Sequence, residues 1–273
     1  WLYKGNQMDK IIVVSDHSKN VFKNTVAVGQ DQTGQQREFA LETPIESVGY
    51  AVRHHEAEEI PGFDPTPAFN FLCVSQWGPR KNFNNTIKWW VEEFHDQKIG
   101  LILKTSLANN SLVDKTKTEN ILKSILSEFP NRKCKVYMLH GDLSDGQMKW
   151  LYQHKKTKCL INIAHGEGFG LPLFEAAQNA LPIVTIDWSG QTDYLTQGNE
   201  KYFSPVKYKL ENIPPQAVWE GVLEKDSQWA NAEQGSFKMT IKRIKKNWAK
   251  YSKKAEELQT LVNERYTEGN YWK

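Results

Sequence analysis

The sequence predicts an α/β fold: a parallel sheet with helices on both faces and a helical tail at the C-terminus. Three observations carry that expectation. Five short runs are apolar throughout rather than alternating, as strands covered on both sides are. The gaps between them carry helical patterns of a length that suits right-handed crossovers. The loops that follow the runs are polar and contain glycine.

The first elements are short. Residues 10–15 (Lys-Ile-Ile-Val-Val-Ser) read as a buried strand, followed by a helix through Asn20, Val21 and Phe22. Residues 29–37, rich in Gln, Gly and Thr, read as a flexible turn or loop. Residues 47–52 read as a second strand, and the prolines of 62–67 mark a linker. The regular series then begins. Its strands are expected at 69–74, 100–104, 135–139, 159–163 and 182–186, and its helices at 86–94, 118–129, 146–153 and 173–179. In the C-terminal part Ile241, Ile244, Trp248, Tyr251, Ala255, Leu258, Val262 and Tyr266 recur at three- and four-residue steps, which is helical spacing.

Composition narrows the class. With 39% apolar and 12% aromatic residues in 273, the chain can build a real core and is not disordered. A net charge of +3 suits an anionic ligand but does not indicate nucleic acid. Cys73, Cys134 and Cys159 lie in or beside apolar runs without C-x-x-C spacing, so they read as reduced core residues of a cytoplasmic protein. No signal peptide is visible and no apolar run is long enough to span a bilayer. Lys242, Arg243, Lys245, Lys246, Lys250, Lys253 and Lys254 make the tail basic. That face reads foremost as solvated, with peripheral contact to the inner membrane surface as the alternative. The chain starts at Trp1, which reads as a fragment lacking N-terminal sequence.

The most informative stretch is His165-Gly166-Glu167-Gly168-Phe169-Gly170-Leu171-Pro172-Leu173-Phe174-Glu175-Ala176. It joins an apolar run to a probable helix. Its glycines leave backbone N–H groups uncovered, and Pro172 fits a first helical turn. Such a turn presents free amides and the positive end of a helix dipole, a setting for phosphate. Glu167 precedes the helix and Glu175 lies inside it, so they are expected to touch different parts of one elongated ligand. A dinucleotide-binding reading of Gly166, Gly168 and Gly170 is weaker: the third glycine is one position early, Pro172 follows, and the loop does not come after a first strand.

This pattern resembles the E-x7-E motif, of the form EGFGLPxxEA, of the family 4 retaining glycosyltransferases. The resemblance runs from about Phe69 to Tyr202 and implies the Rossmann-like C-terminal half of a GT-B fold. It implies that residues 1–66 are the end of an N-terminal domain plus a linker, and that 67–273 bind a nucleoside-diphosphate sugar. A hexose would pass to a hydroxyl of a glycan or other acceptor, with retention. The acceptor would be held by an N-terminal domain with no counterpart here, leaving the fragment inactive alone. The helices after Trp229 would pack back on that domain. No cofactor or metal is implied.

By the same resemblance Glu175 takes the two ribose hydroxyls and Glu167 lies near the transferred sugar. The amides around Gly168, Phe169, Gly170 and Leu171 take the diphosphate. Lys81, in the Gly78-Pro79-Arg80-Lys81-Asn82 turn, steadies the leaving group and is with Glu167 the expected catalytic pair. Arg80 faces either the diphosphate or solvent. Where the family has a Gly-Arg pair this chain has Ser75-Gln76, so Gln76 supplies a hydrogen bond without charge. Gly141 and Leu143 match the segment that holds the base.

Other clusters are weaker. His165 reads equally as a packing residue or a substrate contact. His54-His55 with Glu56, Glu58 and Glu59 reads as a solvated segment rather than a metal site. Asp16-His17-Ser18 is too local for a catalytic triad. The competing readings are a non-catalytic nucleotide-sugar-binding module and a GT-B-type epimerase or phosphorylase.

Overall fold

A computed structural model describes residues 1–30 and 34–271. The chain opens with α1 (Leu2–Gly5), β1 (Ile11–Val13), α2 (Asp16–Asn24), β2 (Ala27–Gln30), β3 (Gln36–Phe39) and β4 (Ile45–Ser47). The alternating series follows: β5 (Asn70–Val74), α3 (Phe83–Phe94), β6 (Gly100–Lys104), α4 (Leu112–Ser127), β7 (Lys135–Leu139), α5 (Asp145–Gln153), β8 (Thr157–Asn162), α6 (Leu171–Gln178) and β9 (Ile183–Ile186). After α7 (Thr192–Leu195) come a small hairpin of β10 (Thr196–Gln197) and β11 (Glu200–Lys201), then β12 (Ser204–Val206), β13 (Tyr208–Asn212) and β14 (Gln228–Ala232). The chain closes with α8 (Gln234–Lys246), α9 (Trp248–Arg265) and α10 (Glu268–Tyr271).

Six strands form one parallel sheet in the order β12-β9-β8-β5-β6-β7. Alternate residues of each strand point to opposite faces. Phe71, Cys73, Leu101, Leu103, Cys159 and Ile161 pack with α3, α4 and α8 through Trp90, Phe94, Ile125 and Phe237. Leu72, Ile102 and Leu160 pack the other way, with α5, α6 and α9 through Leu151, Leu173, Phe174, Leu258 and Val262. Both faces are therefore covered, which is why the strands read as unbroken apolar runs.

Asn70, the first residue of the central strand β5, anchors the amino-terminal end of the sheet. Its Nδ2 donates to the carbonyls of Pro67 (2.7 Å) and Lys156 (3.0 Å). Gly100 lies against it: a Cβ there would sit 1.7 Å from Asn70 Oδ1.

Several expectations need correction. Residues 29–37 do not form a simple loop: Gly29 and Gln30 belong to β2, Gln36 and Arg37 to β3, and the two strands pair as an antiparallel hairpin. The part of that expectation at 31–33 lies outside the described residues. Of the strand expected at 47–52 only Ser47 is in β4. The three-residue partner β1 runs out, Val48 donates the last bond to Val13 (2.8 Å), and Val52 turns to the Tyr266 carbonyl (2.7 Å). The C-terminal helical pattern is two helices, broken at Asn247.

The helix α9 lays Ala255, Leu258 and Val262 on the sheet domain, against α6. Some of the basic tail is paired within the chain: Lys242 reaches Glu93 at 3.2 Å, and Lys238 and Lys254 pair with Glu92 and Glu200. Among the described residues no helix is long and apolar enough to cross a membrane.

Candidate functional site

Loops from β5, β7, β8 and β9 meet at the carboxyl edge of the sheet, where open α/β sheets bind ligands. After β5, residues Pro79–Lys81 form one 3-10 turn and Asn82 takes a left-handed conformation (φ 52°). Asn82 Nδ2 donates to the Ile163 carbonyl at 3.1 Å, and the His165 amide donates to the Arg80 carbonyl at 2.8 Å. These bonds join the basic turn to the glycine turn 80 residues downstream.

The glycine turn is itself pinned from below. The Glu167 amide donates to Ser189 Oγ at 2.7 Å, and the Ser189 hydroxyl donates back to the Glu167 carbonyl. Gly190 donates to that same carbonyl at 3.0 Å. It passes so close that a Cβ would lie 1.9 Å from the Gly168 oxygen. The Tyr194 hydroxyl is within bonding distance of the carbonyls of Phe169 (3.1 Å) and Gly170 (2.9 Å). Gly170, at φ 83°, opens α6 with Pro172 in its first turn. The carbonyls are thus engaged inward. The amides of Gly168, Phe169, Gly170 and Leu171 donate to no partner among the described residues. Together with the α6 dipole they form a setting for an anion.

Beside the turn sits a cluster of charges. Lys81 Nζ lies 2.6 and 2.8 Å from the two oxygens of Glu167. Arg80 Nη1 lies 3.2 Å from Glu167 Oε2 and also donates to the Gly166 carbonyl, so Arg80 faces the motif rather than solvent alone. Asn162 Nδ2 adds a 3.3 Å contact to Glu167 Oε1. Glu167 is buried (7% exposed), and two cations face one carboxylate. The surplus positive charge lies next to the free amides.

Glu175 lies one turn into α6 and lines a cavity of about 280 Å³ with Leu171, Met148, Asp145, Arg53 and Tyr50. Tyr152, from α5, donates its hydroxyl to Glu175 Oε2 at 2.7 Å. Burial pushes the Glu175 carboxyl above its ordinary value, and the Tyr152 hydrogen bond draws it back.

The remaining expected residues divide. Gln76 Nε2 donates to the Leu107 carbonyl at 2.6 Å, in the loop after β6. Gly141 (φ 94°) accepts from Lys104 Nζ, and Leu143 packs half-buried against the apolar cluster of the α5–α6 face. His165 resolves as a packing residue: it stacks on Trp229 (4.9 Å between centroids, 7° between planes), and its Nδ1 is 3.0 Å from the Ala230 carbonyl. His55 lies 3.3 Å from Asp145 rather than in a metal-ligating set.

Four residues at the site escaped the sequence reading of roles: Lys104, Tyr152, Asn162 and Ser189. Lys104 and Asn162 end strands of the sheet, so reading strand ends as well as loops would have found them. No pattern points to Tyr152, which reads as one more apolar position of α5.

At its carboxyl edge the doubly wound sheet thus carries a pinned, amide-bearing turn beside a basic loop, an arrangement suited to an anionic ligand. The chain belongs to the family described as Glycosyl transferases group 1, whose model matches residues 58–213. It is 31% identical over 121 residues to the serotype-specific mannosyltransferase WbdA of Escherichia coli, a match covering 43% of this chain and 13% of that protein. Solved structures share the fold at 13% identity. Sucrose-phosphate synthase from Thermosynechococcus elongatus aligns with TM-score 0.61 over 96% of this chain and 55% of its own. S. aureus TarM, in complex with fondaparinux, α-GlcNAc-glycerol and UDP, aligns at 0.59 over 97% and 43%. Anabaena Alr3699/HepE, in complex with UDP and glucose, aligns at 0.58 over 97% and 62%. The chain therefore spans about an eighth of the curated relative it matches and less than two thirds of each of these structures.

Proposed function

We propose that this chain is the donor-binding part of a retaining glycosyltransferase that moves a hexose from a nucleoside diphosphate to an acceptor hydroxyl. One observation carries the reading: the free amides of residues 168–171 lie beside the buried Glu167 carboxylate and its two cations, Lys81 and Arg80, with Glu175 one helical turn away. A diphosphate would rest on the amides and take charge from Lys81 and Arg80, while Glu175 receives the ribose hydroxyls. Glu167, held beside Lys81, would face the sugar. As the sugar–phosphate bond breaks, negative charge grows on the leaving diphosphate, and a preset cation favours that state over the ground state. In this reading the step needs no metal ion.

The acceptor belongs to a further domain. The two-stranded parallel pair β1–β4 supports this, because parallel strands are stable inside larger covered sheets and Ile12 of β1 is 66% exposed. The isolated chain would then bind donor without transferring sugar.

The test is calorimetry of the chain with UDP, GDP and ADP. One of them binds to the wild type, and Glu175→Ala combined with Lys81→Ala weakens it at least a hundredfold. Binding left unchanged by the double substitution would remove the assignment.

A further inference from the structure

We infer that Tyr152 is a positioning residue for nucleoside recognition: its hydroxyl fixes the Glu175 carboxylate so that the other carboxylate oxygen faces the cavity. The inference rests on the donor-site reading above and names how that site discriminates a ribose.

The geometry has three parts. Tyr152 is 2% exposed, packed in the apolar cluster between α5 and α6, so its ring has no room to swing. Its hydroxyl has Glu175 Oε2, at 2.7 Å, as its acceptor. Glu175 itself is only partly covered and lines the cavity between α5, α6 and the segment around Tyr50 and Arg53. A ribose diol offers two donors, and the remaining carboxylate oxygen, with two lone pairs, meets both only when it is held in one orientation. A carboxylate side chain has several rotamers, and fixing one in advance reduces the entropy lost on binding. Tyr152 does this from the protein side. Burial keeps the phenol well above its ordinary ionisation range, so it remains a donor at all working pH values.

The groups around Glu175 are Tyr152, Asp145 and Lys149 from α5, Arg53, His54 and His55 from the segment over the cavity, and Tyr194 from α7. All but Tyr152 are unchanged in Tyr152→Phe, so their titration is common to both proteins. Loss of the hydroxyl removes the largest of the interactions that draw the Glu175 carboxyl down, leaving those of Arg53 and His55. Affinity that requires the ionised carboxylate then falls off on acidification from a higher starting pH.

The experiment titrates wild type and Tyr152→Phe with UDP, GDP and ADP and with their 2′-deoxy counterparts, across pH. The wild type prefers the ribonucleotide. Tyr152→Phe binds it about ten- to a hundredfold more weakly, the span of one hydrogen bond to a charged group. It also loses most of the ribose preference, and its acid fall-off moves up in pH. Weaker binding with the preference and the pH profile both retained means a packing role and overturns the inference, leaving the donor-site reading intact. A wild type that binds none of the three nucleotides takes both down.

Should Tyr152→Phe not fold, wild type carrying [¹³Cζ]tyrosine supplies the second measurement. The Tyr152 resonance, assigned by its displacement in Glu175→Gln, moves with the ribonucleotide and not with the 2′-deoxy form. A resonance that responds equally to both overturns the inference.

Discussion

Lys81 and Glu167, 86 residues apart in the chain, form a two-pronged ion pair with Nζ 2.6 and 2.8 Å from the carboxylate oxygens. The pair joins the loop after β5 to the glycine turn after β8. Removing Lys81 leaves the Glu167 carboxylate, only 7% exposed, short of compensating charge. Lys81→Met is expected to destabilise the fold by about 3 kcal/mol, the low end for breaking a buried pair, since Arg80 and Asn162 remain on Glu167. Adding Glu167→Gln should recover much of that loss. Urea unfolding of the two single variants and the double variant measures the coupling; additive effects would mean the pair contributes nothing of its own.

Gly190 is required for space. Gly190→Ala would drive a methyl into the Gly168 carbonyl, a backbone atom that cannot swing aside. The expected cost is at least about 1–3 kcal/mol, the usual range for overpacking, together with loss of nucleotide binding because the turn must shift. Gly235, in α8, meets nothing within 4 Å, and Gly235→Ala should leave stability equal or raised by up to about 1 kcal/mol. Thermal unfolding of both variants separates the two cases.

Asp114 sets an acid dependence. It lies 2.7 Å from His140 Nε2 and accepts amide bonds from Leu107 (3.0 Å), Ala108 (2.7 Å) and Asn109 (3.2 Å). These bonds, His140 first, hold its carboxyl well below the ordinary carboxylate range. A depressed folded value means the stabilisation is complete above the unfolded value and lost as pH falls toward the folded one. The wild-type urea midpoint should therefore drop below about pH 4. Asp114→Asn should lower the midpoint at neutral pH and flatten that acid limb. An unaltered acid limb in the variant would rule this out.

The three cysteines test burial. Cys73, Cys134 and Cys159 are free and buried, and desolvation pushes the Cys73 thiol up to about 12. A thiol reagent at neutral pH should label none of them in the native protein and all three in urea. Rapid native labelling of Cys73 would contradict the packing of β5.

How much of this was legible follows from where each residue lies. The strands β6 and β7 coincide with the expected 100–104 and 135–139, because doubly covered strands write themselves as apolar runs. The starts of α3 and α4 lay earlier than expected. The first follows a left-handed Asn82, and the second is capped by Ser111 ahead of Leu112 and Val113, both exposed and outside any apolar stripe. The strand β12 carries Pro205 on the sheet's edge, where a missing donor is tolerated but no strand signal is left. At the site, Glu167, Glu175 and Lys81 were named through the resemblance of the glycine turn and the basic loop to a family motif. That Lys81 bonds Glu167 directly, and that Tyr152 bonds Glu175, was not legible, because each contact joins different elements, 86 and 23 residues apart.

Asn70 and Val74 begin and end the same five-residue strand. The first is locked against Pro67, Lys156 and Gly100, and the loop after the second carries Arg80 and Lys81. Drift at the Asn70 end would register as a change in how long the molecule survives heat. Drift beyond the Val74 end, where Lys81 pairs with Glu167, would register in the same survival time, because that pair also holds two loops of the fold together.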